Sequence, residues 1–170
     1  CVEEERSNDF RADTLISTGS ATPADYKKSG YDRGHLAPSA DMRWSSGSMK
    51  DCFLMSNMSP QSPALNRRIW KNLEEKVRSW AVTYGFVVVV TGPLLEKPSS
   101  YYNTIGANNV SVPEWFYKAL LTFEKQSDGS ILVRATAFIM PNEVPPDAKM
   151  MSYQTTIDEV EERTALDLFS

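Results

Sequence analysis

The chain has 170 residues, 41% of them hydrophobic and 24% charged, with a formal net charge of −4. That length and mixture suit one soluble domain with its own core. They exclude a disordered chain, and the acidic balance argues against a tight, long-footprint grip on a duplex. The longest apolar run, Phe86 to Val90, is far too short to cross a bilayer. Cys1 and Cys52 give neither zinc-ligand spacing nor a disulfide framework. Cys52 lies in an apolar stretch and reads as a buried thiol. Cys1 is open to three readings: a lipoprotein cysteine, a partner for Cys52, or a product of truncation.

Charge is unevenly spread. Residues 1–80 carry 12 lysines and arginines against 11 acids, whereas residues 81–170 carry 6 against 11. The basic surplus therefore lies in the first half, where Arg33, Arg43, Lys50, Arg67, Arg68, Lys71 and Arg78 offer a local patch.

Residues 1–30 are polar and turn-rich, and predict irregular structure wrapped on a core. Residues 31–37 predict a strand end entering a site, and Asp41 to Met49 a loop or short turn. Cys52 to Met58 is apolar enough for a short buried strand, ended by Ser59-Pro60-Gln61-Ser62-Pro63. A helix should follow, with Ser62 as N-cap and Pro63 in its first turn. Ile69, Trp70, Leu73, Val77 and Trp80 fall on one arc at helical spacing and face the core. In a straight helix Glu74 sits about 80° and Arg78 about 120° round from Asn66, and the Cα atoms of Asn66 and Glu74 are about 12 Å apart. Those two cannot comfortably be direct ligands of one metal ion.

Phe86 to Thr91, closed by Gly92-Pro93, predicts a central strand. Phe116 to Glu124 and Ile131 to Met140, joined by Ser127-Asp128-Gly129-Ser130, predict a long hairpin. Thr156 to Leu166 predicts a short acidic helix. The order implies a single α+β domain with helices around an antiparallel or mixed central sheet.

One stretch concentrates chemistry: Tyr31-Asp32-Arg33-Gly34-His35-Leu36-Ala37-Pro38 holds the only histidine of the chain. Phosphodiester hydrolysis needs a base for water, charge to neutralise the phosphorus oxygens, and help for the leaving alkoxide. A neutral imidazole suits the first task. A Mg²⁺ ion, which favours oxygen ligands and keeps most of its waters, suits the others. One amide oxygen with an outer carboxylate is then enough protein, and arginines supply fixed charge to phosphate. Taken singly, each signal has a blander reading: a surface histidine, a helix-start asparagine, an exposed Glu74–Arg78 ion pair.

Together they are more specific. Asp32-Arg33-Gly34-His35-Leu36-Ala37-Pro38, Asn57-Met58-Ser59-Pro60-Gln61, and Leu65-Asn66 with Trp70, Leu73-Glu74 and Arg78 strongly resemble the DNA/RNA non-specific endonuclease family, nucleases of the endonuclease G-like, ββα-metal or His-Me finger type. The likeness continues through Val90-Thr91-Gly92-Pro93, Val112-Pro113 with Tyr117-Lys118, and Ile139-Met140-Pro141-Asn142, and so covers nearly the whole chain.

The resemblance implies a ββα-metal motif over about residues 31–80 and a sugar-non-specific endonuclease acting on DNA and RNA. It makes His35 the general base, Asn66 the direct ligand of one Mg²⁺ (with Mn²⁺ as a substitute), and Glu74 a residue acting through metal-bound water. Arg78 and Arg67 contact substrate. Asp32 and Arg33 support the site, with Arg33 also reaching substrate. Asn57 matches a residue that orients the histidine through its other ring nitrogen. Arg6 best matches an upstream arginine that stabilises the phosphorane, with Arg11 the alternative. A homodimer and a protein inhibitor are the further partners implied.

Members carry another strand-forming segment before the point where Cys1-Val2-Glu3 begins. A piece shortened at its N-terminus, with an open sheet edge, is therefore expected. The alternatives are a truncated inactive fragment, a non-catalytic nucleic-acid-binding module of the same fold, or an inhibitor-regulated toxin nuclease. Ala37-Pro38 and the Ser39-Ala40-Asp41-Met42 continuation resemble bacterial members, which implies a periplasmic, cell-surface or secreted location rather than a mitochondrial one.

Overall fold

A computed structural model describes residues 3–170. The alternatives for Cys1 lie outside the described residues. In chain order the regular elements are β1 (Asp32–His35), α1 (Ser46–Asp51), β2 (Met58–Gln61), α2 (Trp70–Tyr84), β3 (Val87–Leu94), β4 (Thr104–Ile105), β5 (Val110–Ser111), β6 (Trp115–Lys125), β7 (Ile131–Pro141), β8 (Gln154–Thr155) and α3 (Ile157–Thr164). The fold is α+β, and every strand pair is antiparallel.

The chain divides into two compact units: residues up to Pro63 together with Lys97–Pro113, and Ala64–Glu96 together with Glu114–Ser170. The first has two short ribbons, β1-β2 and β4-β5. Among the described residues before β1, the only helical element is a 3-10 turn at Pro23–Tyr26, as the polar composition predicts. Two apolar clusters hold this unit. Met49, Cys52 and Phe53 pack with Phe10 and Met42. Tyr26, Met55, Met58, Ile105 and Val112 form the other.

A polar lock joins its separate chain segments. Asp25 accepts from the Thr22 backbone and hydroxyl (2.7 and 2.9 Å) and from the Asn108 backbone and amide (3.1 and 2.8 Å). Gly106, at φ +68°, lies against it so closely that a Cβ would overlap Asp25. Only glycine serves there. Burial pulls the Asp25 carboxyl upward, but the hydrogen bonds led by Asn108 prevail and hold it at about 2.

Two local expectations fail in this unit. The stretch expected to be a loop contains α1, whose cap Ser45 accepts from the Ser48 backbone and whose Met49 is buried. β2 begins only at Met58, and Cys52 to Asn57 is a turn, a single parallel bridge from Leu54 to Arg11 and a 3-10 segment rather than a strand. Its backbone is satisfied from a distance: the Met55 N–H donates to the Arg11 carbonyl (2.8 Å), and the Arg11 N–H to the Phe53 carbonyl (3.3 Å). The strand comes later, and Pro60 lies inside it opposite Arg33. A two-stranded ribbon tolerates proline on its open side. Cys52 is the expected buried thiol; it donates to the Met49 carbonyl, and burial raises its pKa.

The second unit is a four-stranded sheet in the order β3-β6-β7-β8. The predicted hairpin is there and runs longer, with Lys125 paired to Ile131. One face packs α3: Leu94, Tyr117, Ala119, Ala137 and Ile139 surround Val160. The other carries Phe116 and Lys118; Phe116 meets Trp70 of α2 at 6.0 Å. The valine-rich β3 is an edge strand among the described residues rather than a central one, and Val88 and Val89 are exposed. β-branching fits a pleated strand wherever it sits, so the run marks a strand but not its place.

Candidate active site

β1 and β2 pair as Asp32↔Gln61, Arg33↔Pro60, Gly34↔Ser59 and His35↔Met58. Strand alternation puts Arg33 and His35 on one face of the ribbon and Asp32 and Gly34 on the other. Gly34 is required for close approach, because a Cβ there would run into the Gln61 side chain. Gln61 is fully buried.

Beyond β1 the backbone is stapled by Asn57. Its Oδ1 accepts from the Ala37 N–H (3.0 Å), and its Nδ2 donates to the carbonyls of Ala37 (3.0 Å) and Cys52 (2.8 Å). The Leu36 N–H donates to the Asn57 carbonyl (2.9 Å). This corrects the expectation that Asn57 holds the histidine by a ring nitrogen. Its amide is bonded to main chain, and it fixes the segment on which His35 stands.

His35 is 9% exposed, and its Nε2 is enclosed with no hydrogen-bond partner among the described residues. A water approaching the ring therefore meets Nδ1. Phe53 lies 4.9 Å from the imidazole at 88°, and Phe10 lies 5.9 Å away at 64°. Two guanidinium groups cap these rings. Arg33 lies 3.8 Å over Phe10, and Arg6 5.0 Å over Phe53. Arg6 is oriented by bonds to the Ser39 hydroxyl (2.7 Å) and the Asn8 amide oxygen (2.8 Å). Burial, then the charges of Arg6 and Arg33, lower the imidazole to about 4. The ring is neutral at pH 7 and able to accept a proton.

Of the two upstream arginines, Arg6 lies over the Phe53 ring beside His35 and its charge acts on the imidazole. Arg11 is engaged instead with the Lys50 carbonyl and the carboxylates of Asp9 and Asp51. Phe10, Phe53 and Ser39 went unnoticed as site residues in the sequence. Nothing in local periodicity flags them, since they reach His35 or Arg6 across many residues.

The helix starts at Pro63, as predicted, but it is not straight. Leu65–Ile69 forms a π-turn in which the Trp70 N–H reaches the Leu65 carbonyl. Such wide turns recur at functional sites. Asn66 sits half-buried inside this one. The straight-helix angles drawn from Asn66 therefore do not hold. Glu74 and Arg78, both within α2 and both half-buried, keep their one-turn spacing. Arg67 is exposed, and Arg68 donates to the Pro146 carbonyl (2.9 Å). Trp70, Leu73 and Val77 bury the predicted face, and Trp80 stacks on Phe138. Lys118, buried, donates to the Thr91 hydroxyl (2.7 Å) and lies over Trp70.

No group of three or more histidine, cysteine or acidic side chains fit to hold a metal ion occurs among the described residues. The donor chemistry that remains, an amide oxygen and a carboxylate on one helix, suits a hard ion that keeps most of its water.

A family model described as DNA/RNA non-specific endonuclease matches residues 2–170. The chain belongs to this family. It is 39% identical over 172 residues to human mitochondrial endonuclease G, covering 96% of this chain and 57% of that protein. It is 33% identical over 174 residues to a nuclease of a Nostoc species, covering 98% of this chain and 61% of that one. The chain thus spans little more than half the length of these relatives. A chain in the crystal structure of an EndoG/EndoGI complex superposes with a TM-score of 0.76 at 34% identity, over 88% of this chain and 63% of that one. The family's nucleases are metal-dependent.

Proposed function

We propose that this chain is the catalytic part of a metal-dependent, sugar-non-specific endonuclease that hydrolyses phosphodiester bonds in DNA and RNA. The observation that carries this reading is His35, the single histidine, held neutral beside Arg6 and Arg33. Its Nδ1 takes a proton from the attacking water. Arg6 and Arg33 meet the phosphate, and the bound anion offsets their charge on the imidazole. The proton affinity of the ring thereby rises as the substrate binds. Arg78 and Arg67 add contacts to neighbouring phosphates. Asp32 and Asn57 hold the β1 segment in place.

Asn66 would be the direct protein ligand of Mg²⁺, and Glu74 its partner through water. Mg²⁺ bound there would supply positive charge to the phosphate and the leaving oxygen. Contacts of this kind read backbone and not bases, which supports weak sequence preference. A purely binding module has no need of His35, Asn66 and Glu74 together.

The relatives include a human mitochondrial protein and one from a Nostoc species. We place this chain in the periplasm, at the cell surface or outside the cell on its Ala37–Met42 continuation, and cell fractionation separates that from a mitochondrial location. A second copy and a protein inhibitor are proposed partners; the similar solved structure is itself a complex of EndoG with EndoGI.

The test is cleavage of supercoiled plasmid and of a structureless RNA during a Mg²⁺ titration, with EDTA as control. The reading expects both substrates to be cut only with metal, and Asn66→Ala to move the titration midpoint to higher Mg²⁺. Cutting that persists in EDTA would overturn metal dependence, and an unmoved midpoint would remove Asn66 as ligand.

A further inference from the structure

We propose that Phe10 and Phe53 are positioning residues of this site: their rings wall the imidazole, fix its plane, and seat Arg33 and Arg6 where both charges act on it. This rests on the reading of His35 as the base. The torsion that sets the plane of a histidine ring is intrinsically broad, so something must define it. Hydrogen bonds do not: Nε2 has no partner among the described residues, and the Asn57 amide is committed to main chain.

Packing is left to set the plane, and three rings interlock. Phe10 and Phe53 meet at 4.9 Å and 86°, and both stand steeply inclined to the imidazole. Edge-to-face contact is the favoured arrangement of aromatic rings, so each ring resists rotation of the others. Each phenyl also offers a face that attracts a cation, and each carries a guanidinium there. An aliphatic side chain of like volume would fill the space without either property.

The charged groups around the ring are few. Arg33 comes from β1 and Arg6 from the segment before Phe10. Asp32 lies on the opposite face of the ribbon by alternation, and Asp9 is paired with Arg11. Cys52, next to Phe53, has its thiol pKa raised by burial and stays neutral. Opening the aromatic wall therefore admits water and releases an arginine. Both changes make protonation easier.

One histidine in the chain makes the test unambiguous in untagged protein. Its ring is titrated by NMR in the wild type, Phe10→Ala, Phe10→Tyr and Phe53→Leu, next to kcat and KM for plasmid cleavage in Mg²⁺. The wild-type ring should titrate near 4. Phe10→Ala should move it at least one unit toward the ordinary value of about 6.5. It should also lower kcat by about tenfold to a hundredfold, with a smaller rise in KM from the released Arg33. Phe10→Tyr should restore both. Phe53, fully buried, carries the greater risk of unfolding, and half-buried Phe10 keeps the test valid. A folded Phe10→Ala whose ring titrates like wild type overturns the proposal. A shifted ring in a protein that cuts nothing would support the positioning role and refute the nuclease reading.

Discussion

In the unit that carries His35, the strands and α-helices among the described residues are two short ribbons and one six-residue helix, and two small apolar clusters are tied together by named polar and aromatic contacts: Asp25 on Asn108, Asn57 on Ala37, Arg33 on Phe10. In the unit that carries Asn66, a four-stranded sheet whose two middle strands have 11 residues each is sandwiched between α2 and α3, and bulk apolar burial does the larger share of the holding. Precision has a different source in each unit. A sheet gives stability that many substitutions share. An imidazole proposed as a base needs a fixed plane and a fixed charge state, which a short ribbon supplies only through specific partners.

The comparison predicts effects that differ in size and in kind. The largest should come from the sheet unit: Trp70→Ala, at 1% exposure, should cost about 3–5 kcal/mol in denaturant unfolding. An unchanged midpoint would mean that α2 is not anchored through this side chain.

Next comes the polar lock of the other unit. Asp25→Ala strands buried donors and should cost about 1–3 kcal/mol. Its carboxyl is lowered in the fold, so the stability it supplies is present above the ordinary value of 3.8 and is lost as pH falls toward 2. The gap between wild type and variant should therefore shrink with acidification. A gap that stays constant from pH 6 to pH 2 would show that the carboxylate charge plays no part.

The smallest effect returns to the sheet unit. Arg163→Ala removes a two-pronged contact with Glu96 at 2.8 Å, yet the pair is partly solvated and should contribute below about 1 kcal/mol. A loss as large as that of Asp25→Ala would erase the contrast between a specific lock in one unit and shared burial in the other.

What the sequence revealed follows the same division. The hairpin, the acidic helix and the helix face of Ile69, Trp70, Leu73 and Val77 were legible because their signals are periodic and local. Asp32-Arg33-Gly34-His35 was legible as a contiguous motif. Other features were set by distant contacts. Arg11 satisfies the backbone of Phe53 and Met55, so an apolar run that looked like a strand became a turn. Phe10 reaches His35, and Arg6 reaches Ser39, across intervals that no window of hydrophobicity spans. The π-turn around Asn66 leaves no mark on the pattern, because apolar residues on either side keep their helical spacing. The edge position of β3 was hidden for a simpler reason: valine content says strand and nothing about neighbours.

The measurement that bears most directly on His35 as the base is the single-turnover rate of plasmid cleavage by His35→Ala beside wild type, at pH 7 in saturating Mg²⁺, with DNA binding followed in parallel. The account predicts a loss of about 10²-fold or more in rate with binding little changed. A variant that binds and cuts at a rate near wild type would contradict it, and would move the base to a group other than the one imidazole in the chain.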